Sequence, residues 1–242
     1  GRIYENVVNL LKNKPEEVAD FISNPIETNE INIYPVEIYG SKMAPFFSIL
    51  ACWVGCTLLT AILKVNLKES KVAGDAKIYQ KFFGRFMLFG MLGMIQGLVI
   101  GIGDLFLQVQ TVNPFVFLIS MMLSSFVFVL IIYSLAFAFG KVGQALSIVI
   151  MVLQVAGSGG TFPIELVPRF FQLLQPFMPF YPAMGAVRES VGGFYRNDYF
   201  IYILILLCHT IIPIILGTVV SKHTNEIKTK IEKELHETDV IE

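Results

Sequence analysis

Charge is scarce in this chain of 242 residues. Asp, Glu, Lys and Arg together make up 15%, against roughly 25% in a soluble globular domain. The formal net charge is −1, and no basic stripe with interleaved aromatics occurs, so nucleic acid is not an expected partner. Cysteine is rare as well. Cys52, Cys56 and Cys208 all fall inside apolar stretches, and none is placed for an extracellular disulfide. Cys52 and Cys56 share a helix face at i, i+4, a spacing open to a soft metal, but the further ligands such a site needs are not visible. The alternative is two small packing residues. Gly140-Lys141 does not make a nucleotide-binding loop, because that loop needs Gly five positions earlier and position 135 is Leu. His236-Glu237 does not extend to a metalloprotease motif, because position 240 is Val. The chain is therefore expected to bind no metal or cofactor through a known motif and not to be an enzyme.

What the chain has instead is apolar length. Hydrophobic residues reach 55% and the mean hydropathy is +0.66. Five apolar stretches, 44–63, 82–103, 114–139, 142–157 and 199–220, alternate with short polar connections. A bilayer core about 30 Å thick needs about 20 apolar residues in a helix. Four stretches meet that length and 142–157 is short. The expected fold is an all-α polytopic membrane bundle, which limits function to transport, membrane machinery, signalling or intramembrane chemistry.

Basic residues set the expected orientation. Lys64, Lys68, Lys71, Lys77, Lys81 and Arg85 crowd the connection 64–85, Lys141 sits in a later turn, and the tail after 220 carries four lysines. The connection 104–113 has none. If all five stretches cross, these basic segments share one side, assigned to the cytoplasm. Residues 1–43, 104–113 and 158–198 then lie outside, and the tail 221–242 lies inside. The chain starts Gly1-Arg2 without Met, and it is expected to be part of a longer protein with one more span and a domain ahead of it.

Residues 3–13 and 15–23 read as two short helices, and 26–43 as an extended lead into the membrane. Residues 67–81 form either a short helix along the inner face, for lipid headgroups or a cytoplasmic partner, or a solvated basic loop. Lys68, Lys71 and Lys77 are its candidate coupling residues. Gly93, Gly97 and Gly101 recur every four residues, a spacing that lets two helix backbones approach closely in lipid, within the chain or across a dimer. Gln96, Gln154 and His209 are candidate pathway groups. The amide of Gln96 is more simply a bond to a neighbouring helix, and His209 has no acidic partner in any span, while Pro213 is expected to kink its helix.

The segment 160–198 is too apolar for a free loop and too broken to span. Pro163, Pro168, Pro176, Pro179 and Pro182 cut it into pieces, with 164–175 and 182–193 as short helices around an aromatic elbow, Phe177 to Tyr181. Non-helical backbone at membrane depth survives only when buried in protein or lining a water-filled cavity. The expectation is a re-entrant hairpin dipping from the outer face, with Arg188 and Glu189 anchoring it at the interface. The alternative is an amphipathic pair that stays on the surface.

Gly160-Thr161-Phe162-Pro163, Leu166-Val167-Pro168, Gln175-Pro176, Met178-Pro179 and Tyr181-Pro182 resemble the outer re-entrant segment of ABC-2-type transporter membrane domains. The lead-in Ile33-Tyr34-Pro35-Val36, Tyr39-Gly40, Met43-Ala44-Pro45-Phe46-Phe47 and Trp53-Val54-Gly55 is similar to the C-terminal half of the YhgE/Pip (phage infection protein) branch. The resemblance implies a domain layout: 1–43 as the end of an extracellular domain, 44–220 as the membrane domain, 221–242 as a cytoplasmic tail. It also implies a multi-pass protein of a Gram-positive cell membrane, homodimeric, surrounded by lipid, with a separate cytoplasmic ATPase docking at 67–81. The implied function is a permease-like component of export. The other implied role is a non-transporting anchor of a secretion complex, or a surface receptor used by phage.

Overall fold

The computed structural model describes Val36 and residues 38–65, 77–160 and 162–220. The expected helices at 3–13 and 15–23, most of 67–81, and the tail 221–242 lie outside the described residues. Every regular element among the described residues is helical. They run α1 (Tyr39–Ile62), α2 (Ile78–Phe106), α3 (Pro114–Phe139), α4 (Lys141–Gly157), α5 (Arg169–Leu174), α6 (Phe180–Gly192), α7 (Asp198–Cys208) and α8 (Ile211–Ile215), with a π-helical turn at Leu216–Val220. Short 3₁₀ turns flank α5 at Ile164–Leu166 and Gln175–Phe177.

Four helical stretches are long and apolar enough to cross a membrane: α1, α2, α3 and the continuous run Asp198–Val219. At 17 residues, α4 is shorter. Two helices begin earlier than the apolar runs suggest. α1 starts at Tyr39, so its first turns take up the end of the expected extended lead. Pro45 lies inside it at the cost of one backbone bond. The start is held from outside, as the Ser41 hydroxyl accepts the Gln110 N–H at 2.9 Å. α2 starts at Ile78, where the Lys77 N–H donates to Gln80 Oε1 at 2.9 Å, so 78–81 is membrane helix and not part of a separate inner-face helix.

The central post is α3, which packs against α2 along its length and also against α1, α4 and α6. Its start is well specified: Pro114 occupies the first turn, and Asn113 Oδ1 accepts the N–H groups of Phe115 and Val116 at 3.1 and 3.3 Å. Its end is a tight corner. Gly140 has φ +60°, and Gly143 sits directly on the Leu135 carbonyl, where any Cβ would collide. Trp53 packs edge-on against Phe128 with centroids 5.0 Å apart and donates from Nε1 to the Ser147 carbonyl at 3.2 Å. At the end carrying Lys64 and Arg85, Phe82, Phe86, Phe89 and Phe137 surround Tyr133, whose hydroxyl donates to the Phe82 carbonyl at 3.0 Å. There Arg85 also clamps the Lys64 carbonyl, from Nε at 3.0 Å and Nη2 at 2.6 Å.

Candidate functional site

The end of the bundle opposite Arg85 gathers the broken segment and most of the candidate residues. α6 is almost wholly buried: Phe180, Pro182, Ala183, Met184, Gly185, Ala186, Val187, Ser190 and Val191 are covered. It packs against α1, α3 and α7. The Phe180 ring meets Phe46 at 5.6 Å, and the Ser190 carbonyl accepts the Val112 N–H at 2.9 Å. The other arm is different. Phe162, Leu166, Phe170, Leu173 and Phe177 are all strongly exposed.

The prolines do separate jobs here. Pro163 and Pro168 precede the first 3₁₀ turn and α5, Pro176 lies in the second 3₁₀ turn, and Pro179 precedes α6. Pro182 is buried near the start of α6, where its missing N–H costs little. Gly160 lies against the Phe46 ring, closer than a Cβ would allow. Thr161 lies outside the described residues. Arg188 Nη2 reaches the carbonyls of Gly159 and Gly160, each at 3.3 Å, and so ties α6 to the start of the broken segment. Glu189 accepts the Tyr195 N–H at 2.6 Å. Burial holds its carboxyl above the ordinary carboxylate range, against the lowering effect of that bond and with a further push from Asp198.

The glycine stripe is used inside the chain. A Cβ on Gly93 would meet Val129 at 2.7 Å, one on Gly97 the Met121 carbonyl at 2.6 Å, and one on Gly101 the Leu118 side chain at 2.9 Å. All three faces belong to α3. Gln96, one position away, turns to α1 and donates to the Cys52 carbonyl at 2.9 Å. Its amide lies directly over Gly55.

Three further candidates are scattered. His209 Nδ1 contacts the Ile205 carbonyl at 2.7 Å, at the break between α7 and α8. That break lies four residues before Pro213, whose missing N–H leaves the His209 carbonyl without its helical partner. Gln154 is fully buried on α4, and both amide atoms are without a hydrogen-bond partner among the described residues. Lys77 opens α2, while Lys68 and Lys71 lie outside the described residues. The Cys56 thiol contacts the carbonyl and hydroxyl of Ser125, each at 3.6 Å. No group of three or more His, Cys, Asp or Glu side chains suited to a metal occurs among the described residues.

One polar residue escaped the sequence reading. Asp104 looks like the first residue of a loop, but α2 continues to Phe106 and includes it. Its Oδ2 is buried without a partner among the described residues. It faces a cavity of about 880 Å³ between the first turns of α1 and the last turn of α2, and Ser48 on α1 lines the same cavity. The only sequence signal was a lone acid at the end of a glycine-rich span.

Comparison with known proteins places these features in context. The family described as ABC-2 family transporter protein matches residues 2–219. The uncharacterized protein YhgE of Bacillus subtilis (strain 168) is 29% identical over 184 residues, which are 74% of this chain and 23% of that protein. The chain thus spans less than a quarter of the length of this curated relative. No solved structure matches the chain.

Proposed function

Because the chain belongs to the ABC-2 transporter protein family, we propose that residues 44–220 form one permease half of an exporter in the cell membrane. α1, α2, α3, α4 and Asp198–Val219 are its five crossings. The 17 residues of α4 stand at the lower end of the spanning range. Residues 160–198 form the re-entrant hairpin, with α6 as its buried arm and α5 as its outer arm. Lys64, Lys77, Lys81, Arg85 and Lys141 mark the cytoplasmic end, so 1–43 lies outside and 221–242 inside, in the plasma membrane of a Gram-positive bacterium. Two copies pair, and a separate ATPase works on 67–81 through Lys68, Lys71 and Lys77. The substrate is lipid-linked, polymeric or otherwise hydrophobic. Gln154 is the leading pathway group, because Gln96 and His209 already have partners within the fold.

The observation that carries this reading is the burial of α6. Within a segment broken by five prolines, the helix α6 is held between α1, α3 and α7, at the end of the bundle opposite Lys64 and Arg85. Backbone of that kind is tolerated at membrane depth when protein shields it.

The test is gentle extraction of the full-length protein from its native membrane. The expected result is a P-loop ATPase in stoichiometric amount, lost in the triple variant Lys68→Glu, Lys71→Glu, Lys77→Glu with membrane insertion unchanged. Recovery of the protein alone, or with secretion-complex subunits, reassigns it as an anchor or phage receptor. That second reading draws on the large part of YhgE lying outside the matched region.

A further inference from the structure

The cavity beside Asp104 has a definite chemical character. Its volume of about 880 Å³ falls within the range of small-molecule sites, about 300–1,000 Å³. Tyr39, Phe47 and Phe162 supply aromatic wall, and Ser41 and Ser48 supply hydroxyls. None of the described lining residues is basic. Asp104 is the one acid among the described lining residues, its Oδ2 is buried without a partner among the described residues, and it lies within three residues of the end of a membrane-length helix.

A buried carboxylate oxygen without a partner is costly, and a cation with hydrogen-bond donors offsets that cost. The wall excludes the other cations in turn. Calcium and magnesium take six or more oxygen ligands and zinc four ligands from Cys, His or carboxylate, and no second carboxylate and no His or Cys is among the described lining residues. A protein lysine or arginine is not among them either. An ammonium group brings three donors, is attracted to aromatic faces, and can carry an apolar body to fill the remaining wall.

The geometry points to this cavity as a binding site for a primary ammonium group on an apolar body, with Asp104 as the charge partner and the Ser41 and Ser48 hydroxyls beside it in the wall. The site lies at the end of the bundle that also holds the α6 hairpin, and it rests on the cavity alone, whether or not the protein transports. The ammonium can belong to an amino-phospholipid headgroup or to a free amphiphilic amine.

The experiment uses the full-length protein in nanodiscs of phosphatidylglycerol, with and without phosphatidylethanolamine, and separately titrated with hexylamine or its neutral analogue hexanol. Thermal unfolding is the readout. For a membrane domain of this size that unfolds as one unit, a ligand at about 100 times its Kd raises the Tm of that domain's transition by about 5 °C. The expected result is a rise with an amine and none with hexanol, abolished in Asp104→Asn. That variant removes the charge at nearly constant shape. A rise with phosphatidylethanolamine identifies the lipid headgroup, and a rise with hexylamine alone identifies a free amine. Equal rises with hexanol, a full response in Asp104→Asn, or no response to either amine would overturn the site.

Discussion

Gly97 and Gln96 are adjacent in sequence and serve opposite faces of α2. Gly97 contributes by having no side chain, so that the Met121 carbonyl of α3 comes within 2.6 Å of where its Cβ would be. Gln96 contributes an amide, which bonds the Cys52 carbonyl of α1. In lipid a bond of this kind is worth about 0.6–2 kcal/mol. A side chain at 97 meets backbone, which cannot rotate away. Gly97→Leu is therefore expected to cost about 1–3 kcal/mol, seen as a lower Tm in detergent. Gly84, which has open space around its position, gives the control: Gly84→Ala is expected to leave Tm unchanged or raise it by the small gain of Ala over Gly in a helix. Equal losses at both positions would remove the close-packing account.

At the scale of elements, Arg188 links α6 to the start of the broken segment through the carbonyls of Gly159 and Gly160. Arg188→Ala should cost only about 1 kcal/mol of global stability. It should nevertheless speed proteolysis within 159–175 while the helices stay intact, and unchanged cleavage there would show that α6 holds its place without Arg188. Much of this element was legible in sequence: the prolines marked its breaks, and the second helix, expected from 182, starts at Phe180 directly after Pro179. The beginning of α1 was not, because Tyr39–Met43 lacks an apolar run and is stabilised by a distant contact, Gln110 to Ser41. The glycine period announced a close partner but could not name α3. Asp104 was missed because a single acid at a helix end has the same sequence appearance as a loop acid. What distinguishes the two is its place inside α2 and in a cavity shared with Ser48, 56 positions away in the chain.

For the whole molecule, orientation is the claim most open to direct measurement. In a background lacking Cys52, Cys56 and Cys208, Gln108→Cys should react with a membrane-impermeant maleimide on intact cells. Lys141→Cys should react only after lysis. The reverse pattern would invert the assignment of the basic end to the cytoplasm. The exposed face of Asp198–Val219 is branched and aromatic, with Phe200, Leu204, Ile212 and Ile215 exposed along a run only 17% buried.

The glycine contacts between α2 and α3 also have a mechanical consequence. They bind two long rods into one strut, with the arginine clamp near one end and the unpaired carboxylate near the other. Those two residues are about 28 Å apart along the helix axis at 1.5 Å per residue, so a tilt of about 10° at the clamp swings the carboxylate by about 5 Å. A rigid strut of that length would carry a small rotation at one end into a displacement at the other about as large as one turn of helix.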